Sequence, residues 1–244
     1  MTLSREEESV TMTMPRATTR RSVAIALVIA TFVAPFIASQ GAQGGERGSV
    51  SAIAPRGIVV VGDSITARYD DHVGGDRQGW WSVVGRRLDA TVRTYAQSGS
   101  GYLRPGHRCT GNRFIDRPDA YAGDAPSILI VEGGRNDWSR CVDGVFVPST
   151  DQEVRHAVDT YLDVLQTWLP RSTRIIVLGP PWGPLDPDNG RRITAIVEAA
   201  ARAHGLQFIS TTGALTPSRV IDGVHPNRAG SVAIARKVLA ALDA

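Results

Sequence analysis

Short runs of consecutive apolar residues constrain the fold of this chain more than any other feature. Three of the runs, at Ile58–Val61, Ser127–Val131 and Arg174–Leu178, contain IVVV, ILIV and IIVL. Continuous apolar strands are typical of parallel sheets, because helices cover both faces of such sheets. Thr91–Ala96 and Gln207–Ile209 show weaker strand patterns. We therefore predict one parallel sheet that contains these five strands.

Helical patterns separate the strands along the chain. The predicted helices are Trp80–Leu88, a helix capped by Thr150 that ends before Pro170, Arg191–His204, and a helix capped by Asn227 that continues through Leu242. Strands that alternate with helices pair in parallel through right-handed crossovers. The fold class that follows is α/β, a flavodoxin-like three-layer α/β/α sandwich with a five-stranded parallel sheet.

The N-terminal part of the chain differs in kind from the rest. A polar stretch that contains Arg16, Arg20 and Arg21 precedes an apolar run, VAIALVIATFVAPFIA, at residues 23–38. A basic flank followed by such a run is typical of a secretory signal, whereas a membrane span needs about 20 apolar residues. We expect residues 1–40 to be a signal peptide, or alternatively an N-terminal membrane anchor that attaches the protein through residues 23–38.

This N-terminal segment determines the expected domain boundaries and location. The stretch that follows it, residues 41–56, is rich in Gly and Ser and is predicted to be a linker. Residues 57–244 then form the folded domain. The expected location is secreted or in the cell envelope.

The cysteines, histidines and charged residues of the chain limit the kinds of binding or catalytic site that it could contain. Its two cysteines, Cys109 and Cys141, are expected to form a disulfide, since paired thiols are common in exported proteins. Two unpaired buried thiols are the alternative. The histidines are dispersed, so no metal site has recognisable ligand spacing. The formal net charge is only +3, and no basic run interleaves with aromatic residues, which argues against a nucleic-acid partner.

Four polar segments fall at the predicted strand ends. They are GDSI (residues 62–65), SGSG (98–101), GRND (134–137) and DGVH (222–225). Each alone would suit an ordinary turn, but ligands of open parallel sheets bind outside the carboxyl ends of the strands. Ser64 supplies a hydroxyl, His225 a base and Asp222 an acid, which together are the set that a nucleophilic hydrolase needs. The conjunction of the four segments favours a catalytic site.

In their order and spacing, these segments resemble the four blocks of the SGNH (GDSL-type) hydrolases. The resemblance covers about Ile58 to Leu242 and implies the fold of that family. It also implies that Ser64 is the nucleophile and that Asp222 and His225 complete a catalytic triad. The backbone N–H of Ser64 and the side chain of Asn136 would then donate hydrogen bonds to the oxyanion.

The second block departs from the pattern of that family, which reads Asn-x-Gly-x-x-Gly. Ala96 stands at the Asn position and Ser98 at the first Gly position. The resemblance therefore implies Gly101 as the third oxyanion donor, with Gly99 as the alternate.

Other residues near these segments have more than one interpretation. Asp63 and Asp137 are interpreted as acids that form turns. Trp138 and Trp182 lie on loops after strands, where they could line a substrate pocket or pack against the fold. A disulfide between the two cysteines would brace the loops that carry the second and third segments. Ser64 is not in a G-x-S-x-G motif, and neither a phosphate-binding loop nor a dinucleotide motif is present.

These observations lead to one expected function and two alternatives. We expect an exported serine esterase that hydrolyses small or medium acyl esters through an acyl-enzyme, without a metal or organic cofactor. Its substrate would be a small-molecule, lipid or glycan ester. The first alternative is an O-acyltransferase or deacetylase that acts on cell-envelope glycans. The second, from another class, is a non-catalytic envelope-binding protein that keeps the fold.

Overall fold

The computed structural model describes residues 57–67, 75–185 and 187–243 of the 244-residue chain. The predicted signal peptide or anchor (residues 1–40) and the predicted linker (residues 41–56) lie outside the described residues. Within the described ranges, the helices are too short or too polar to cross a membrane.

Five parallel strands form the main sheet, and all five lie where the apolar patterns predict them. Two further strands, β4 and β5, lie outside this sheet. In chain order, the strands of both sheets are β1 (Gly57–Gly62), β2 (Thr91–Ala96), β3 (Ile128–Glu132), β4 (Ser139–Val142), β5 (Val145–Pro148), β6 (Arg174–Leu178) and β7 (Gln207–Ile209). The sheet has the order β2-β1-β3-β6-β7. The direction of winding therefore reverses between β1 and β3, which is the switch point where such sheets bind ligands.

Helices cover both faces of this sheet. They are α1 (Ser64–Ala67), α2 (Trp80–Leu88), α3 (Asp151–Trp168), α4 (Pro187–Ala203) and α5 (Arg228–Leu242). The buried side chains of α3 and α4 belong to one apolar core, and those of α2 and α5 belong to a second core on the other face. The predicted flavodoxin-like three-layer sandwich is confirmed.

Alternation along the central strands explains why their apolar runs are continuous. In β1, Val59 and Val61 pack into the core beneath α3 and α4, while Ile58 and Val60 pack into the other core. Successive side chains of a strand point to opposite faces, so a strand that is covered on both faces needs an apolar residue at every position.

Capping residues define the helix starts that the sequence predicts. The Thr150 hydroxyl accepts from the Glu153 N–H (3.2 Å), and the Glu153 carboxylate accepts from the Thr150 N–H (2.9 Å), so the capping box is present. Asn227 caps α5 by accepting from the Gly230 N–H. α4 begins at Pro187 rather than at the predicted Arg191. Proline is favoured in the first turn because it lacks an N–H that would have no intrahelical partner there.

The connection between β2 and β3 contains three 3-10 turns and no α-helix. Cys109 in this connection is joined by a disulfide to Cys141 in β4, with 5.6 Å between their Cα atoms. β4 and β5 form an antiparallel hairpin that was not predicted. Its turn is Asp143-Gly144, with φ of 48° and 79°. An Asp-Gly pair between strand-like residues is a recognised hairpin signal, so the sequence did carry the information.

Candidate active site

Ser64 lies at the switch point, at the first position of α1 directly after β1. Asp63 builds the turn that presents it. The Asp63 carboxylate accepts from the Ile65 N–H (2.8 Å), and its carbonyl accepts from the N–H groups of Thr66 and Ala67. The interpretation of Asp63 as a turn-forming acid is therefore confirmed.

Ser64, His225 and Asp222 form one chain of hydrogen bonds. The Ser64 Oγ lies 2.9 Å from the His225 Nε2, and the His225 Nδ1 lies 2.7 Å from the Asp222 Oδ2. The other carboxylate oxygen of Asp222 accepts from the N–H groups of Val224 and His225, at 3.0 and 2.8 Å. The loop before α5 is thus folded around the Asp222 carboxylate, which points the imidazole at the serine.

Hydrogen bonds set the charge state of Asp222. Burial raises the pKa of this carboxyl, but the bonds from the backbone and side chain of His225 and from the Val224 N–H lower it to about 2. Asp222 is therefore ionised at neutral pH. An ionised carboxylate at Nδ1 keeps the imidazole proton on that atom and leaves Nε2 as an acceptor for the serine hydroxyl.

The Gly101 N–H, predicted to be an oxyanion donor, has a backbone partner in this structure. The Gly101 N–H donates to the Arg104 carbonyl (2.9 Å), so it is already engaged. A Cβ at Gly101 would overlap the Asp137 carboxylate, which explains why glycine occupies this position. Gly101, which would have to exchange this bond for the oxyanion, stays the predicted third donor, and Gly99, with φ of +75° in the same loop, stays the alternate.

Asn136 lies beside the nucleophile turn, as the motif predicts. Its Nδ2 donates to the Ser100 carbonyl at 2.8 Å and to the Asp63 carboxylate at 3.3 Å. The amide therefore connects the second and third segments to the residue that precedes Ser64.

Asp137 has a wider role than the turn-forming acid expected from the sequence. Its buried carboxylate accepts from three consecutive N–H groups, those of Tyr102, Leu103 and Arg104, at 2.9, 3.0 and 3.0 Å. Burial raises the pKa of Asp137 to about 6, although these three bonds act in the opposite direction. The side chain fastens the loop after β2 to the third segment across more than 30 residues, so a local interpretation was wrong.

A buried acid that was missed in the sequence, Glu132, lies beneath the nucleophile helix. The Thr66 hydroxyl donates to the Glu132 Oε2 (2.7 Å) and accepts from the Trp80 Nε1 (3.2 Å). Burial, followed by the charge of Asp63, raises the pKa of Glu132 well above its usual range. An acid that ends an otherwise apolar strand, as in ILIVE, was the available signal.

The two tryptophans proposed as substrate-lining residues have different surroundings. Trp138 is 38% exposed. The Trp182 Nε1 donates to the Leu185 carbonyl (2.7 Å), and the Arg135 guanidinium lies 4.7 Å from the centre of the Trp182 ring. Trp182 also lines a cavity of about 340 Å³. Contact of either residue with substrate remains a prediction.

Metal-binding chemistry has no candidate in the described part of the chain. No group of three or more His, Cys, Asp or Glu side chains there is arranged to hold a metal ion.

Comparisons with known proteins agree with this fold. The family model of the GDSL-like Lipase/Acylhydrolase family matches residues 60–233. A GDSL lipase of Mycobacterium tuberculosis is 28% identical over 191 residues, which cover 74% of this chain and 79% of that protein.

Solved structures share the same architecture at lower identity. Est24, a carbohydrate acetylesterase from Sinorhizobium meliloti, has a TM-score of 0.62 and 16% identity over 77% of this chain and 99% of its own. A GDSL-like lipase structure from Bacteroides ovatus has a TM-score of 0.58 and 18% identity over 78% and 99%. At such identities the likeness shows the fold alone. The family model, however, spans well over half of the sequence, and the chain therefore belongs to the GDSL-like lipase/acylhydrolase family.

Proposed function

We propose that this hydrolase is an exported serine esterase that removes small or medium acyl groups. The observation that carries the proposal is the hydrogen-bonded chain from Ser64 through His225 to Asp222, with distances of 2.9 and 2.7 Å. Such a chain supplies a nucleophile, its base and the group that orients the base.

The proposed reaction begins with attack by the Ser64 Oγ on the ester carbonyl carbon while His225 Nε2 takes the hydroxyl proton. The tetrahedral intermediate collapses, and the leaving alkoxide receives that proton from His225. Water then attacks the acylated serine, with His225 again as base, and releases the carboxylic acid. Throughout, the ionised Asp222 holds the imidazole in the required tautomer and stabilises its charged form.

Donors for the oxyanion are proposed from the elements around Ser64. The Ser64 N–H is at the first position of α1, where a helix leaves its N–H groups without intrahelical partners. Asn136 can contribute by exchanging its longer bond, 3.3 Å to Asp63, for the oxyanion. Gly101 would supply a third donor by exchanging its bond to the Arg104 carbonyl, with Gly99 as the alternate. Donors of this kind typically contribute about 10²–10³-fold each to the rate.

Deacetylation of glycans is the second candidate function. It is supported by structural neighbours that are named as carbohydrate acetylesterases, including Est24. Transfer of the acyl group to a sugar hydroxyl would use the same acyl-enzyme, because only the final acceptor differs.

Export is proposed from the N-terminal pattern and the disulfide. Residues 1–40 combine a basic flank with an apolar run, and a disulfide such as Cys109–Cys141 is stable in oxidising compartments. A membrane anchor at residues 23–38 would place the same enzyme on the membrane surface.

Hydrolysis of p-nitrophenyl esters of increasing chain length tests this function. The wild-type protein is expected to cleave the acetate and butyrate esters, and Ser64→Ala should lower kcat by at least about 10³-fold. Acetylated xylan and acetylated chitooligosaccharides, assayed by acetate release, would show whether a glycan ester is preferred.

The matched control is Ser82→Ala, which removes a half-buried hydroxyl of α2 that accepts from the Arg86 guanidinium, outside the Ser64–His225–Asp222 chain, and should leave the rate unchanged. Equal activity of the wild-type and Ser64→Ala proteins would overturn the assignment of the nucleophile. Ester turnover that appears only when a sugar acceptor is added would instead identify a transferase.

A further inference from the structure

Arg117, which lies outside every motif of the sequence, holds four oxygen atoms around the candidate active site. Its side chain is buried in the long connection between β2 and β3. The Nη1 donates to the carbonyl oxygens of Gly62 (2.8 Å) and Tyr95 (3.0 Å). The Nη2 donates to the carbonyl of Asn112 (2.8 Å) and to the Ser100 hydroxyl.

These partners belong to the elements that build the site. Gly62 is the last residue of β1 and precedes the turn that presents Ser64. Tyr95 lies near the end of β2, directly before the loop 96–101. The carbonyl of Ser100 accepts from the Asn136 Nδ2 at 2.8 Å. One guanidinium therefore links the nucleophile strand, the second-segment loop and, through Ser100, the third segment.

The chemistry of this arrangement is unusual for a residue whose role is only stability. All four acceptors of Arg117 are neutral oxygens, and burial lowers the pKa of its guanidinium. Burial of a charge that has no directly bonded counter-charge costs desolvation free energy. Apolar residues of similar volume often stabilise such a buried position at least as much as charged residues do. What a guanidinium offers instead is a rigid planar fork that fixes several acceptors at defined positions.

We propose that Arg117 is a positioning residue that fixes the loop 96–101 against the nucleophile turn and so sets the distance between the oxyanion donors and Ser64. This inference rests on the proposed serine-esterase function. Arg117 acts through the loop and does not itself touch the reacting atoms. Its loss should therefore slow the chemical step more than it weakens substrate binding.

Steady-state kinetics of the full chain with p-nitrophenyl acetate provide the first test. Arg117→Met is expected to lower kcat by about 10²-fold, comparable to the loss of one oxyanion donor, with KM within about twofold of wild type. Arg117→Lys should recover only part of that loss. Its ammonium group can still donate to some of the acceptors, but it cannot hold all four at once. Arg113→Met is the matched control, since Arg113 lies on the same connection in an exposed ion pair with Asp116.

Chemical rescue separates a positioning role from general loosening of the fold. Arg117→Ala leaves a buried space that guanidinium ion can occupy. Low millimolar guanidinium should raise kcat of this variant at least about fivefold and leave wild type unchanged, whereas tetramethylammonium should do neither. If Arg117 variants fail to fold, Ser100→Ala removes one of its contacts and should lower kcat about fivefold at constant KM.

Amide hydrogen exchange tests the same inference without any substrate. In Arg117→Met, amides of residues 96–104 should exchange at least about tenfold faster, while amides of β3 and β6 keep their rates. If wild type hydrolyses no ester, the proposed function fails, and exchange still decides the role of Arg117.

Three outcomes would overturn the inference. One is a folded Arg117→Met with wild-type kcat, and another is a loss confined to KM. The third is unchanged exchange across residues 96–104. If only Ser100→Ala can be prepared, an unaltered kcat overturns it equally.

Discussion

The imidazole ring of His225 makes two hydrogen bonds that fix both its orientation and the position of its proton. One joins its Nδ1 to Asp222 and the other joins its Nε2 to Ser64. Asp222 and His225 lie three residues apart on one loop, whereas Ser64 is 161 residues away. The acid and the base are therefore a local unit, and only the fold brings the serine to them.

The charge state of Asp222 leads to a prediction about acidic pH. Because its pKa is lowered to about 2, Asp222 stays ionised across the acid limb of the activity profile and adds no proton uptake of its own there. The logarithm of kcat/KM should therefore rise with a slope of one across the acid limb of the pH profile. A slope of two, measured where the protein is still folded, would mean that a second essential group titrates there.

Glu132 leads to a prediction about stability. Near pH 4, Glu132→Gln should unfold with a free energy within about 1 kcal/mol of wild type, because an amide can replace the protonated acid that accepts from Thr66. Glu132→Ala should lose about 3 kcal/mol, since it leaves a cavity and removes the acceptor for the buried Thr66 hydroxyl proton. Urea unfolding of the three proteins measures both differences.

The direction of the pKa shift of Glu132 also predicts how the stability difference between wild type and Glu132→Gln depends on pH. The pKa of Glu132 in the folded state is raised above 4.5, so its contribution is complete below that value and is lost as pH rises toward the folded-state pKa. Wild type should therefore lose stability relative to Glu132→Gln between pH 4 and pH 8. A relative gain for wild type over that range would show that the ionised carboxylate is the stabilising form.

At the scale of elements, the connection between β2 and β3 is held by side chains rather than by helix periodicity. Asp137 fixes residues 102–104 of this connection through their three N–H groups. Arg117 fixes the preceding residues through the Ser100 hydroxyl. The Cys109–Cys141 disulfide joins the connection to the β4–β5 hairpin. A segment without an apolar stripe needs such links, because each ordered residue loses backbone entropy.

Removal of the disulfide measures how much it contributes to the stability of the folded protein. Replacement of Cys109 and Cys141 by serine should lower the free energy of unfolding by roughly 3–4 kcal/mol in the chain-entropy model, for a sequence separation of 32 residues. Urea unfolding of the oxidised wild type, the reduced wild type and the double variant gives the comparison, and the last two should agree. An oxidised wild type whose stability matches both of them would show that the thiols are not bridged in solution.

The N-terminus of α3 offers a second test at this scale. Thr150→Ala removes the hydroxyl that accepts from the Glu153 N–H and should cost about 1 kcal/mol of stability. Thr167→Ala, at the other end of the same helix, removes a hydroxyl that only bonds back to the Asp163 carbonyl and serves as the control. Equal thermal stability of the two variants would contradict the assigned cap.

At the scale of the whole molecule, strand order is what assembles the site. Because β1 lies between β2 and β3, the segments that follow these strands meet at one edge of the sheet. The loop before α5 reaches the same edge and delivers His225 to Ser64. The proposed catalytic groups, from distant parts of the sequence, are thus gathered by a parallel α/β topology, which the alternation of strand and helix patterns predicts.

What could be predicted from the sequence depends on whether a structural property is set by neighbouring residues or by distant ones. Continuous apolar runs and helix caps are local properties, so β1, β3, β6 and the start of α3 could be located from the sequence. The strand-end rule then placed Ser64 and His225 at one edge. The engagement of the Gly101 N–H and the contacts of Arg117 could not be predicted, because they depend on the path of a connection that has no periodic pattern.

Covalent labelling with a fluorophosphonate tests the central claim, that Ser64 is activated by His225, most directly. The reagent transfers its phosphonyl group to an activated serine oxygen and releases fluoride. One adduct is expected, on Ser64 in the tryptic peptide that spans residues 57–68, and labelling should be at least about 10²-fold slower in His225→Ala. An esterase-active protein that carries no label on Ser64, or one labelled equally fast without His225, would contradict it.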